Sequence, residues 1–180
     1  MTLIFIRHGE TDQNRDGVVQ GQEVDGVLNE NGIKQVEQTA LRLPEDIDFI
    51  LSSPLKRASK TTEIINRRFN KKFYFRDELK EVSYGSLAGK TWGQIESETG
   101  EKNMQEKELK LVFNYRPYGG ESIEDVKTRL AKFIAGLKRD YADKKILIIT
   151  HGCVIDTMHL LFPQKEKPES KNASVHEFGL

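Results

Sequence analysis

Short apolar runs alternate with amphipathic stretches along the chain. Leu3-Ile4-Phe5-Ile6 is continuously apolar and predicts a strand from Thr2 to about Ile6. Loop residues follow through Gly26. Asn29-Glu30-Asn31-Gly32 then opens a helix, with Asn29 as its cap, Ile33, Val36, Ala40 and Leu43 at helical spacing, and Pro44 closing it. A second strand is expected over Ile47 to Leu51. It ends in Ser52-Ser53-Pro54, where Ser53 would cap a helix with Pro54 in its first turn. Leu55, Ala58, Thr62, Ile65 and Phe69 share one face of that helix.

Lys72 to Phe75 reads as a short third strand, and 77–89 as irregular, hinged at Gly85 and Gly89. Thr91 caps a short helix through about Thr99, and 102–113 suggests another, highly charged one before a loop at 115–120. Ser122 caps a long helix with Asp125 at the capping-box position. Its face is Ile123, Val126, Leu130, Phe133, Ile134, Leu137 and Tyr141. Lys145 to Thr150 holds the run Ile146-Leu147-Ile148-Ile149, the pattern of a strand buried on both faces. A helix from Cys153 to Phe162, a charged loop from Pro163 to Lys171 and a last strand from Ala173 to Phe178 complete the chain.

Strand and helix in alternation give an α/β layered domain. In such sheets ligands bind beyond the carboxyl ends of the strands. Three of the expected strands end in polar signals: Arg7-His8-Gly9, Ser52-Ser53-Pro54 followed by Arg57, and Thr150-His151-Gly152. If these strands are parallel neighbours, the clusters meet at one sheet edge.

Composition narrows the partners. The 180 residues suffice for one well-buried domain, and Lys+Arg and Asp+Glu are both 28, so any cationic site must be local. That balance argues against broad nucleic-acid or membrane-surface binding. A single cysteine, Cys153, excludes an internal disulfide and fits a reducing compartment. The N-terminus enters a strand without a basic leader, and no apolar run has the length of a membrane span. The expected location is cytoplasmic.

Two imidazoles and two guanidiniums in one pocket form a cationic site for a dianion, and guanidinium matches phosphate oxygens in bidentate geometry. Neighbouring positive charge keeps an imidazole neutral and nucleophilic. The chemistry suggested is phosphoryl transfer to a histidine nitrogen. Glu81 is the candidate proton donor to the leaving alkoxide, its pKa raised by the nearby phosphate. Arg57, in the first turn of its helix, is either an ordinary surface arginine or shares an anion with free backbone N–H groups there.

Five ordered blocks resemble the histidine phosphatase superfamily, also called phosphoglycerate-mutase-like. They are Arg7-His8-Gly9-Glu10-Thr11 with Asn14, Val27 to Gln35, Ser52 to Ala58, Gly119-Gly120-Glu121-Ser122, and Thr150-His151-Gly152. The resemblance implies a three-layer α/β sandwich with a mostly parallel central sheet and helices on both faces. It implies one domain over 1–180, with an insertion at about 85–118 forming part of the substrate pocket. His8 would be the phosphorylated nucleophile and Glu81 the general acid or base. Arg7, Arg57 and His151 would bind the phosphoryl group, assisted by Asn14 and the Gly152 amide. Gly21, Tyr84 and Trp92 are candidates for the substrate pocket. No metal and no organic cofactor is expected.

Tyr84-Gly85-Ser86-Leu87-Ala88-Gly89 is similar to a mutase motif. Against a mutase, Val82 and Trp92 stand where mutases carry Arg and Lys, and Tyr115-Arg116 stands where they carry paired arginines. The reading preferred is a phosphatase for a small phosphorylated metabolite, as a monomer or homodimer. The rivals are a phosphoglycerate mutase, a metal-dependent phosphoesterase using residues such as His8, Asp12 and His151, and a non-catalytic phosphate-binding module. Blander roles are expected elsewhere. His159 and His176 are surface or satisfied residues, Glu10 caps or pairs locally, and Cys153 is a small core residue at a helix start. Lys102 to Lys110 is a solvated face or a lid, and Trp92 is core or pocket mouth.

Overall fold

A computed structural model describes residues 1–165 and 168–180. In chain order the elements are β1 (Thr2–Arg7), α1 (Asp12–Arg15), α2 (Glu30–Arg42), β2 (Phe49–Ser52), α3 (Lys56–Phe69), β3 (Phe73–Phe75), α4 (Trp92–Thr99), α5 (Met104–Leu109), α6 (Ile123–Asp140), β4 (Lys145–Thr150), α7 (Gly152–Leu161) and β5 (Val175–Gly179). Single 3₁₀ turns lie at 77–79, 85–87 and 116–118.

One five-stranded sheet runs in the order β3-β2-β4-β1-β5. β1, β2, β3 and β4 are parallel, and β5 lies antiparallel on the β1 edge. Register places Arg7 beside Thr150 and Ser52 beside Ile149. The ends of β1, β4 and β2 therefore stop level with one another. Ile4, Ile6, Ile50, Leu147 and Ile149 pack against α2 and α3 on one face. Leu3, Phe5, Leu51, Ile146 and Ile148 pack against α6 and α7 on the other. Three layers result, because strands apolar on both faces must be covered twice.

The expected caps form. Asn29 accepts the Gly32 amide, Thr91 makes a capping box with Gln94, and Ser122 makes one with Asp125. Gly9 and Gly32 bring β1's exit against the start of α2. A Cβ on Gly32 would stand 2.1 Å from the Glu10 carbonyl oxygen, and one on Gly9 would stand 2.4 Å from the Gly32 oxygen.

Three expectations are corrected. Asp12–Arg15 is a helical turn, closed by a Thr11–Asn14 capping box, and not loop. α3 begins at Lys56, so Ser53 does not cap it. The helix start offers no free amide set for an anion either: the Lys56 N–H is taken by Asp25 Oδ1 at 2.7 Å. The short third strand forms as expected, at the sheet edge with its three aromatic residues exposed. Glu166 and Lys167, within the Pro163–Lys171 loop expectation, lie outside the described residues.

Candidate active site

His8 leaves the end of β1 almost fully buried. Its Nδ1 lies 2.7 Å from the Gly9 carbonyl oxygen, which can only accept, so Nδ1 carries the proton. The lone pair is then on Nε2, and Arg57 Nε donates to it at 3.3 Å. Burial first, then the charges of Arg57 and Arg7, hold the His8 pKa well below that of a free imidazole. The ring is neutral at pH 7, with an unprotonated nitrogen facing two cations. The backbone of His8 is fixed as well. Its amide donates to Thr150, and its carbonyl accepts from the Ala173 amide and the Asn172 side chain.

Arg57 is 1% exposed, which rules out the surface-arginine reading. It donates to the carbonyls of Gly21 at 2.7 Å and Val24 at 3.2 Å, and lies 3.8 Å from Asp25. Gly21 suits this contact. Its φ is +59°, and a Cβ there would meet Tyr84 at 2.6 Å.

His151 is fully buried beside His8, with ring centroids 5.2 Å apart. Its Nε2 lies 2.8 Å from Ser53 Oγ. That hydroxyl accepts the Leu55 amide and can donate to the imidazole. The proton of neutral His151 then sits on Nδ1, a buried atom with no hydrogen-bond partner. Burial and the charge of Arg57 lower the His151 pKa strongly. Arg7 has an equally orphaned Nε, and its guanidinium lies 3.4 Å from where a Gly152 Cβ would stand. Gly152 opens α7, whose N-cap His151 makes no side-chain cap, so the first amides of the helix have no capping side chain. The Asn14 carboxamide oxygen takes the Thr11 and Asn172 donors. The amide NH₂ is left as what Asn14 can offer a ligand.

Glu81 sits in the irregular segment between β3 and α4, with Oε1 accepting the Val82 amide at 3.0 Å. Burial raises its carboxyl pKa, against the opposing pull of Arg57, Arg7 and Arg129. Sequence expectation assigned that rise to a bound phosphate; in the structure burial produces it first. The segment is held by residues the sequence reading missed. Arg129 donates to the Glu78 and Glu81 carbonyls and pairs with Glu121, which also accepts the Ser83 amide and the Gln22 side chain. Only Glu121, inside the Gly-Gly-Glu-Ser block, carried a signal that could have pointed here.

These groups open onto a cleft of ≈ 630 Å³. Arg7, His8, Asn14, Gly21, Arg57, Glu81, Tyr84, Trp92 and Gly152 line it; His151 stands behind His8 and is not part of the lining. The 85–118 segment contributes Trp92, Gln105, Glu108, Leu109 and Leu111. The 102–110 run is therefore more than a solvated face. Glu10 is local, bound by Asn29 and Asn31. His159 and His176 are buried and bonded to each other at 2.9 Å. Cys153 is buried at the start of α7 and also borders the cleft. Among the described residues no group of three or more His, Cys, Asp or Glu could hold a metal ion, and no helix is long and apolar enough to cross a membrane.

The model of the histidine phosphatase superfamily (branch 1) matches residues 3–179. The chain is 32% identical over 160 residues to the uncharacterized phosphatase PhoE of Bacillus subtilis (strain 168), covering 88% of this chain and 76% of that one. It is 30% identical over 186 residues to a metal-independent phosphoserine phosphatase of Arabidopsis thaliana, covering 97% and 74%. A mycobacterial glucosyl-3-phosphoglycerate phosphatase, solved with VO3, superposes with a TM-score of 0.83 at 26% identity over 98% of this chain and 91% of that one.

Proposed function

The chain belongs to the histidine phosphatase superfamily (branch 1), and from that premise we propose that it hydrolyses a small phosphomonoester through a phosphohistidine on His8. The observation that carries this reading is the state of the His8 ring. Its Nδ1–H is tied to Gly9, and its unprotonated Nε2 faces Arg57. Nε2 attacks phosphorus as the ester P–O bond breaks. Glu81, whose carboxyl pKa burial raises, gives its proton to the leaving alkoxide. Water then attacks the phosphohistidine, Glu81 takes a proton from it, and inorganic phosphate leaves. Arg7 Nε and His151 Nδ1, both buried without partners, supply donors for the phosphoryl oxygens, with the Gly152 end of α7 alongside. No step in this scheme uses a metal.

The second reading is a phosphoglycerate mutase, favoured by the Tyr84-Gly85-Ser86-Leu87-Ala88-Gly89 segment. Both readings are tested with a phosphomonoester panel in the presence of chelator, with 3-phosphoglycerate isomerisation assayed in parallel. The expected result is phosphate release without isomerisation, acid-labile phosphate trapped on the protein, and loss of both in His8→Ala. Full turnover by His8→Ala would sink the mechanism, and isomerisation outpacing hydrolysis would establish the mutase.

A further inference from the structure

The cleft holds a second carboxylate besides Glu81. Glu108, on α5, borders the cleft together with His8 and Glu81. One carboxylate oxygen of Glu108 accepts the Tyr84 hydroxyl and the other accepts the Tyr115 hydroxyl at 2.7 Å. Both tyrosines are buried. Their rings lie 4.9 Å apart, and Phe113 stacks on Tyr115 at 4.9 Å and 8°. The carboxylate is thus held on a rigid aromatic wall, and each oxygen keeps a lone pair for another donor. The cations among the described lining residues are Arg7, Arg57 and Lys171. Arg7 and Arg57 stand beside His8, and Lys171 pairs with Glu169 at 2.7 Å. Arg7 is within electrostatic reach of Glu108 as well, so this carboxylate stands close to the phosphoryl site.

We propose that Glu108, fixed by Tyr84 and Tyr115, reads the leaving group. It selects phosphomonoesters of alcohols that carry a hydrogen-bond donor, an ammonium above all, and rejects those that carry a carboxylate. The inference rests on the phosphatase reading for its chemistry. It adds the substrate class, which His8 and its neighbours leave open. Burial, with the charges of Glu81 and Asp156 adding to it, brings the Glu108 carboxyl to about 7, so an approaching ammonium strengthens its ionised form and an approaching carboxylate opposes it.

The test uses O-phosphoethanolamine, glycerol 3-phosphate and 3-phosphoglycerate. Calorimetry measures their binding to His8→Ala and to His8→Ala/Glu108→Gln, and phosphate release measures kcat/KM in the natural chain. With Glu108 present, phosphoethanolamine should bind at least about tenfold more tightly than 3-phosphoglycerate, with glycerol 3-phosphate between them. In the Glu108→Gln protein most of that ratio should disappear. An unchanged ratio, or preference for 3-phosphoglycerate while Glu108 is present, overturns the inference. Should the double variant not fold, the binding order in His8→Ala alone decides. The predicted binding order without any phosphate release would sink the phosphatase reading and leave the selection by Glu108 standing. Equal kcat/KM for all three esters would do the reverse.

Discussion

Arg129→Met separates the scaffold of Glu81 from its chemistry. The guanidinium meets Glu121 at 3.0 and 3.2 Å and donates to the Glu78 carbonyl at 2.6 Å and the Glu81 carbonyl at 3.2 Å. Its side chain is 17% exposed and that of Glu121 is 20% exposed. Breaking a fully buried pair costs about 3–5 kcal/mol, because one charge is left uncompensated. Partial exposure here reduces that to about 2–3 kcal/mol, or a melting point lower by about 5–10 °C in a domain of this size. The second effect is on rate. Without its two carbonyl tethers the Glu81 segment shifts, and a displacement of about 1 Å costs about 100-fold in kcat. The third is on pH dependence. Arg129 pulls the Glu81 carboxyl down, so its removal lets that pKa rise further. The acid stays protonated to higher pH, and the alkaline limb of the kcat profile moves upward. A thermal melt and a pH–kcat profile read all three. Arg129→Lys should restore the position of the limb more fully than the rate, since an ammonium supplies the charge without the fork. An Arg129→Met protein with an unchanged melt, rate and limb would refute this account of how Glu81 is held.

Other expectations follow from single contacts. Gly32→Ala should lower stability by about 3 kcal/mol or more by denaturant titration, because its Cβ would meet Glu10 backbone at 2.1 Å and backbone cannot rotate aside. Ser53→Ala removes the partner of His151 Nε2; it should cost about 1–2 kcal/mol of stability and about tenfold in kcat as the imidazole loses its fixed tautomer. Glu108 has its folded pKa raised from 4.5 to about 7, so its contribution to stability is full below 4.5 and lost as pH rises through 7. Glu108→Gln cannot ionise and should match the natural chain at pH 5 nearer than at pH 8, where it gains up to about 3 kcal/mol in urea unfolding. An equal gain at both pH values would contradict the shift.

The sheet and the helix starts are legible because their signals are local. A continuous apolar run such as Ile146 to Ile149 can only be a doubly covered strand, and the spacing of Ser122 and Asp125 writes its own cap. The convergence of His8, Arg57 and His151 is legible for the same reason, since each follows a strand end and the strands prove to be parallel neighbours. Ser53 shows the limit. Ser-Pro at a strand end reads as a helix cap, yet its hydroxyl serves His151, a residue 98 positions away. Arg129 and Glu108 are invisible for a like reason. On a charged helix each looks like any solvated residue, and only tertiary packing turns one toward the Glu81 segment and the other toward Tyr84 and Tyr115.

The position of β1 also bears on how the protein is made. The strand that leads into His8 is synthesised well before its partners β4 and β5, with Thr2 beside Lys145 and Gly179. At about 5–20 residues per second a ribosome needs on the order of 10 s to reach β4. For that interval an apolar strand has no ladder to join, and loop closure of this length makes its pairing slow. Pulse-labelled hydrogen exchange during refolding should show β1 amides protected together with those of β4, not ahead of them; early protection of β1 alone would contradict this order. Completion of the site is thereby a late folding event, and a chain halted before residue 145 holds His8 without the strand that orients it.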